Sequence, residues 1–351
     1  MTRKSVAILT GPDTYLDHLG VLCDISQIPL IVTEEKTYAA ARHFYPSLPV
    51  VYMHLQDLTL DFLSSHFDTL FESGKFWQTE LKSLLQLLYQ KNMRFVFCPH
   101  GNSDKGFSLK KHAGQDVSLV YGAHMIDLLK ETGAFEQIDH LIPTGNYRLP
   151  YYRKYQAFYD RLAKEQIGIH LDPHKKTILY APTWKDGENP TSFFNACETI
   201  IEQLSPTYNL LIKLHPFLEE FHPAHTYAII AKYEHTHKNV LFIREFPAIY
   251  PLLALTDIYL GDYSSIGYDF LAFNKPMYFF HGAPSHEKRS LLHPCGIAIP
   301  PDKMDALLDF IDTTAEENAL SLSSKRKEIY QYAFGKETSL KKIQNIITAI
   351  S

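Results

Sequence analysis

The sequence predicts an α/β fold of two doubly wound domains, each built on a parallel sheet. Short apolar runs that end in glycine, proline or aspartate alternate with longer amphipathic stretches, which is the pattern of βα units. The alternation stops near residue 150 and starts again near residue 177, and 351 residues suit two ordinary domains. We therefore expect one domain over residues 1–150, a linker over 151–175 and a second domain over 176–351.

The first half supplies five apolar runs of strand length. They lie at residues 6–9, 30–32, 50–53, 95–97 and 141–142. Between them, the stretch 76–89 carries Leu81, Leu84, Leu85 and Leu88 at helical spacing. This spacing predicts an amphipathic helix that places these leucines in the core.

The second half repeats the order of elements. Its strand-like runs lie at residues 177–180, 210–214, 240–243, 258–260 and 277–280. Helical sequence separates them, first near 192–204 and later from about residue 265. The segment 324–350 is also helical in pattern and could return to pack on the first domain.

Composition excludes several classes of protein. With 45% hydrophobic and 21% charged residues the chain is globular, and its net charge of -5 disfavours broad nucleic-acid binding. No apolar window is long enough for a transmembrane helix, and the first apolar run breaks at Gly11, too early for a signal peptide. The four scattered cysteines lack a CxxC pair and are expected to be buried thiols. We expect a cytoplasmic protein with no metal site and no cofactor.

Polar residues suited to phosphate follow the strands of the second half. Ser264 and Ser265 come directly after the run 258–260 and start a helix, whose N–H groups favour an anion. Lys213 and His215 end another strand, at the edge where open α/β sheets bind ligands. Thr183, with Lys185 close behind it, ends a third.

In the first half, the run 95–97 leads into Cys98-Pro-His-Gly101. An imidazole at the carboxyl end of a strand is suited to general-base catalysis near neutral pH. Lys105 lies close enough in sequence to hold an anionic substrate beside it. We therefore name His100 and His215 as candidate catalytic residues, on two sheets expected to face each other across a cleft.

Taken in order, these segments resemble the CDP-glycerol glycerophosphotransferases of teichoic-acid synthesis. The resemblance rests on His100-Gly101 with Lys105-Gly106, Thr144-Gly145 with Arg148, Tyr180-Ala-Pro-Thr-Trp184, Lys213-Leu-His-Pro216, and Gly261-Asp-Tyr-Ser-Ser265 with Asp269 and Lys275-Pro276. It covers roughly residues 90–290.

The resemblance implies a transferase of the GT-B type with a CDP-activated polyol donor in the C-terminal domain. It implies His100 as the base, a donor-phosphate site at Lys213, His215, Ser264 and Ser265, and a position for Asp269 near the polyol or ribose. Thr183 joins the expected phosphate site from its place at a strand end. Further substrate contacts are expected from Lys105, Arg148, Lys185, Asp262 and Asp269. Three positions depart from the family pattern: Leu149 follows Arg148, Lys185 follows the tryptophan, and Lys288-Arg289-Ser290 replaces an arginine–glycine pair.

Three other functions fit the same fold. A glycosyltransferase would use a nucleotide sugar and attack carbon, a nucleotide-sugar 2-epimerase would need acidic residues in the cleft, and a third alternative binds nucleotide without catalysis. The resemblance further implies a lipid-linked acceptor hydroxyl. It would bring the enzyme to the inner face of the cell membrane, with Tyr151, Tyr152, Arg153, Lys154 and Tyr155 as the expected contact.

Overall fold

The computed structural model describes residues 4–74, 76–104, 109–185, 191–280 and 290–351. The chain divides into two compact units, the first made of Met1–Lys154 and Tyr332–Ser351 and the second of Tyr155–Gln331. Each unit contains its own parallel sheet, so the predicted α/β fold with two doubly wound halves is confirmed.

The first sheet has seven strands among the described residues. They are β1 (Ser5–Leu9), β2 (Leu30–Val32), β3 (Val50–Tyr52), β4 (Thr69–Glu72), β5 (Arg94–Phe97), β6 (Val117–Val120) and β7 (His140–Pro143). All pair in parallel, in the order β3-β2-β1-β4-β5-β6-β7. The direction of winding reverses between β1 and β4. Doubly wound sheets bind ligands at such a switch point, outside the carboxyl ends of the strands.

The helices of this unit follow its strands along the chain. They are α1 (Leu19–Ser26), α2 (Glu35–Phe44), α3 (Leu60–His66), α4 (Phe76–Tyr89), α5 (Ala123–Glu131) and α6 (Arg148–Lys154). A short 3-10 turn, Asp13–Asp17, leads from β1 into α1.

Helix α4 corrects one prediction from the leucine spacing. Leu85 is fully buried and Leu81 packs against the core, but Leu84 and Leu88 are 42% and 62% exposed. The helix meets the core along positions 77, 81 and 85, a stripe too narrow to include the other two leucines.

The second sheet repeats the winding of the first. Its strands are β8 (Thr177–Ala181), β9 (Asn209–Lys213), β10 (Val240–Ile243), β11 (Ile258–Gly261), β12 (Met277–Phe280) and β13 (Ile297–Ile299). In the described residues they pair in parallel in the order β10-β9-β8-β11-β12-β13. The switch point lies between β8 and β11.

The helices of the second unit follow in chain order. They are α7 (Gln156–Gln166), α8 (Phe193–Leu204), α9 (Pro216–Phe221), α10 (Pro223–Tyr233), α11 (Ile249–Leu255), α12 (Ser265–Phe270), α13 (Leu307–Ser321) and α14 (Ser323–Phe334). The last residues of α14 belong to the first unit.

The final helix, α15 (Leu340–Ile350), lies in the first unit, where it contacts α1. It begins after Ser339, whose hydroxyl accepts a hydrogen bond from the N–H of Lys342. Ile343 and Ile347 are fully buried. All four cysteines are buried free thiols, which confirms that prediction.

The predicted membrane contact by Tyr151 and Tyr152 is wrong. Both rings lie in α6 and are buried, with exposed fractions of 3% and 6%. The hydroxyl of Tyr151 donates to the carboxylate of Asp24. These tyrosines anchor α6 within the first unit and present no aromatic surface to a membrane.

Candidate functional site

His100 lies over the switch point of the first sheet. It follows β5, and its ring touches the connections that leave β1 and β4. Its Nδ1 is 3.3 Å from the carbonyl oxygen of Ser73, directly after β4. Its ring stacks on Tyr15, after β1, with the centroids 4.5 Å apart. The structure thus places the predicted base at the edge where a doubly wound sheet binds its ligand.

The hydrogen bond to Ser73 fixes the tautomer of His100. A carbonyl oxygen can only accept, so Nδ1 must carry the proton that is shared with it. In the neutral ring, Nε2 then carries the lone pair. Burial, with a smaller contribution from the charge of Lys111, lowers the pKa of His100 to about 4. The imidazole is therefore neutral at pH 7 and can accept a proton at Nε2.

Arg148 lies beneath this edge in a buried ion pair. Its exposed fraction is 2%, and its guanidinium donates to the carboxylate of Asp17 over 2.9 Å. It also lies 5.8 Å from the ring centroid of Tyr121. Arg148 therefore fastens the turn that follows β1 to the start of α6. Lys105, the other predicted contact in this unit, lies outside the described residues.

Asp262 and Thr183 meet at the switch point of the second sheet. The Asp262 carboxylate, after β11, accepts from the backbone N–H of Thr183, after β8, over 2.8 Å. It also accepts from the N–H of Ser192 at 3.2 Å. Asp262 is mostly buried and holds two connections together at the edge where the donor was predicted to bind.

Ser264 and Ser265 stand at the start of α12. Ser264 is the N-cap residue, but its side chain makes no capping hydrogen bond. Its hydroxyl lies instead 3.3 Å from the hydroxyl of Tyr259. Gly267 follows, and a Cβ there would stand 2.8 Å from the side chain of Leu292, so this glycine permits close packing within the unit.

His215 caps α9 and has the opposite tautomer to His100. Its Nδ1 accepts from the N–H of Phe217 over 3.2 Å, so Nδ1 carries the lone pair and Nε2 the proton. Protonation of Nδ1 would break this cap. His215 is thus built to donate a hydrogen bond from Nε2. Lys213, two residues earlier, is the buried last residue of β9.

The remaining predicted residues differ in exposure. Asp269 is buried in α12 and accepts a hydrogen bond from the hydroxyl of Tyr250 at 3.2 Å. Thr183 is buried, while Lys185, two residues further along, is exposed. Asp269 and Thr183 are therefore enclosed within the second unit, whereas Lys185 reaches solvent.

Sequence reasoning missed two residues beside His100. His18 and Tyr121 are buried, and the Nδ1 of His18 lies 2.6 Å from the hydroxyl of Tyr121. Burial lowers the pKa of His18, and the nearby charge of Arg148 lowers it further. The available signal was the position of His18 at the end of the connection from β1 to α1, since β1 lies next to the switch point.

Within the described residues, no helix is both long and apolar enough to cross a membrane. In the same residues, no group of three or more histidine, cysteine, aspartate or glutamate side chains is arranged to hold a metal ion.

Comparison with known proteins identifies a family match. A family model described as CDP-Glycerol:Poly(glycerophosphate) glycerophosphotransferase matches residues 94–290, a range that includes His100, Lys213 and Ser264. A teichoic acid glycerol-phosphate primase of Bacillus subtilis (strain 168) is 27% identical over 250 residues, 68% of this chain and 60% of that protein. A teichoic acid poly(glycerol phosphate) polymerase of Bacillus spizizenii is 26% identical over 235 residues, 59% of this chain and 56% of that protein. The chain thus spans less than two thirds of these curated relatives.

Solved structures share the fold. The structure of the wall teichoic acid polymerase TagF has a TM-score of 0.66 to this chain at 14% identity. The likeness covers 99% of this chain and 88% of that one. It places the two units among folds of the GT-B type.

Proposed function

Because the chain belongs to the CDP-glycerol:poly(glycerophosphate) glycerophosphotransferase family, we propose that it transfers a polyol phosphate from a CDP-activated donor to an acceptor hydroxyl. The observation that carries this proposal is the position of the candidate residues. His100 lies at the switch point of one sheet, and Thr183, Asp262 and Ser264 lie at that of the other.

The proposed reaction is an attack of the acceptor oxygen on the β-phosphorus of the donor. A bond forms between this oxygen and phosphorus, the bond from phosphorus to the bridging oxygen breaks, and CMP leaves with that oxygen. The hydroxyl proton passes to Nε2 of His100. General-base catalysis of this kind contributes about 10²–10⁴-fold.

The second unit supplies the groups proposed to hold the donor diphosphate. Lys213 provides a positive charge, His215 an Nε2–H donor, and Ser264 and Ser265 two hydroxyls. Phosphoryl transfer depends mainly on positioning and charge stabilisation, so these groups need no reactivity of their own. In this proposal Lys185 contacts the donor from solvent, while Asp262, Asp269 and Thr183 shape the pocket.

We propose further that the acceptor is lipid-linked and that α4 meets the membrane surface. The exposed face of α4 carries Phe76, Leu84, Leu87 and Leu88, with exposed fractions of 53%, 42%, 78% and 62%. Apolar side chains along one face of a surface helix are suited to burial in the headgroup region. This face takes the place of the tyrosines first expected to make that contact.

Product analysis tests the proposed reaction. The purified chain is incubated with CDP-glycerol and a glycerol-phosphate-ended acceptor, and nucleotide products are separated. The proposal requires CMP and an acceptor longer by one glycerol phosphate. Release of CDP would instead indicate attack on carbon and would refute phosphoryl transfer. An unchanged donor that still raises the melting temperature would indicate binding without catalysis.

A further inference from the structure

A chain of hydrogen bonds runs from His18 to the residue before His100. Tyr121 follows β6, and its hydroxyl donates to the carbonyl oxygen of Pro99 over 3.0 Å. The same hydroxyl is 2.6 Å from Nδ1 of His18. These hydrogen bonds therefore join the connections after β1, β5 and β6 at the carboxyl edge of the first sheet.

Proton accounting gives each bond its direction. The Pro99 carbonyl can only accept, so it takes the single hydroxyl proton of Tyr121. His18 must then donate from Nδ1 to the oxygen of Tyr121. All three groups are buried or nearly so, and a missing partner would leave a polar atom unsatisfied.

The backbone of His18 is held from a second side. The hydroxyl of Tyr147 donates to the carbonyl oxygen of His18 over 3.2 Å and lies 3.4 Å from the sulfur of Cys98. Cys98 and Pro99 are the two residues that carry the chain from β5 to His100. His18 is thus linked to that short segment through both Tyr121 and Tyr147.

We propose that His18 is a positioning residue for His100, acting through Tyr121 and the backbone of Pro99. This inference rests on the proposed role of His100 as the base. The imidazole of His100 has one side-chain hydrogen bond of its own, to Ser73, among the described residues. Its direction toward an acceptor therefore depends on where Pro99 holds the backbone. A misplacement of about 1 Å is enough to cost about 10²-fold in rate.

Two substitutions of His18 separate positioning from packing. Asparagine places an amide N–H close to the position of Nδ1, so His18→Asn keeps the donor to Tyr121. Glutamine places it close to Nε2, so His18→Gln loses that donor. Tyr121→Phe removes the hydroxyl that links His18 to Pro99. Tyr52→Phe is the matched control, because it removes an exposed tyrosine–histidine hydrogen bond, to His54, in the same unit.

The assay measures kcat and the KM for CDP-glycerol, with melting temperature and donor binding recorded for each variant. We expect Tyr121→Phe and His18→Gln to lose about 10–100-fold in kcat with little change in donor KM. His18→Asn should keep most of the rate, and Tyr52→Phe should match the unmodified chain. If Tyr121→Phe does not fold, the two His18 variants carry the test.

Equal losses in His18→Asn and His18→Gln would overturn the proposal, since packing alone would then explain both. A better rate for His18→Gln than for His18→Asn would also overturn it and assign a direct contact to Nε2. A His100→Asn variant that retains transfer would remove the base itself, and with it the function on which the inference rests. Loss in His100→Asn without loss in Tyr121→Phe defeats the positioning role alone.

Discussion

The environment of His100 predicts that kcat/KM for transfer has its acidic limb at a lower pH than an exposed histidine would give. Burial lowers its pKa, with Lys111 contributing, from an ordinary 6.5 to about 4. The pH dependence of kcat/KM reports groups of the free enzyme. If His100 is the base, kcat/KM for transfer should rise with pH through about 4 and then stay level past the range where an exposed histidine titrates.

Two variants test whether His100 is the base and whether Lys111 lowers its pKa. His100→Asn can still donate to the carbonyl of Ser73 but offers no basic nitrogen, so kcat should fall by about 10²–10⁴-fold. Lys111→Gln removes a positive charge that disfavours the imidazolium, so the pKa of His100 should rise and the acidic limb should move to higher pH. Lys110→Gln is the control, because this exposed neighbour is not among the causes of the shift.

The measurement is the initial rate of CMP release across pH 3.5 to 8 at low donor concentration, with circular dichroism confirming the folded state at each point. An acidic limb near 6.5 that Lys111→Gln leaves in place would refute the described environment of His100. A profile in His100→Asn equal to that of the unmodified chain would refute its role as the base.

Other predictions address the donor site, stability and the membrane. Replacing Ser264 and Ser265 with alanine should weaken CDP-glycerol binding in calorimetry with little loss of stability, because the Ser264 side chain makes no capping hydrogen bond. Normal binding would contradict the phosphate assignment. Arg326→Lys should lower the free energy of unfolding in urea by at least about 2 kcal/mol, because the buried guanidinium bonds to oxygens of four other residues that lysine cannot all reach. Leu87→Ser with Leu88→Ser should reduce co-sedimentation with anionic liposomes at low salt, and unchanged binding would place the membrane contact elsewhere.

The apolar pattern predicted most of the strands but missed β4, β6 and β13. Buried polar residues explain two of these. Glu72 at the end of β4 and Ser118 in β6 are fully buried, and each interrupts an apolar run. Glu72 is tolerated because its carboxylate accepts from the N–H groups of Trp77 and Gln78 at the start of α4. These donors lie in the helix that follows the strand, so the apolar pattern of the strand itself does not reveal the compensation. Strand β13 has only three residues, Ile297–Ile299.

The same limit applies to the site. Thr183 and Asp262, which follow two neighbouring strands, do meet at a switch point. The partner of each group depends on the tertiary structure. The carboxylate of Asp262 accepts hydrogen bonds from two backbone N–H groups, and the guanidinium of Arg148 forms an ion pair with Asp17. A charged residue after a strand can therefore support the site from beneath as easily as contact a ligand, and sequence alone does not distinguish these uses.

The two histidines show how the backbone assigns chemistry to identical side chains. In the sequence, His100 and His215 are both imidazoles after a strand. In the structure, a carbonyl faces Nδ1 of His100, while an N–H faces Nδ1 of His215. The first contact leaves a lone pair at Nε2 and the second leaves a proton there. A base is needed where an acceptor hydroxyl must lose its proton, and a donor is needed where phosphate oxygens gain negative charge. The opposite tautomers are consistent with the proposed reaction, in which His100 accepts the hydroxyl proton and His215 donates to the donor phosphate.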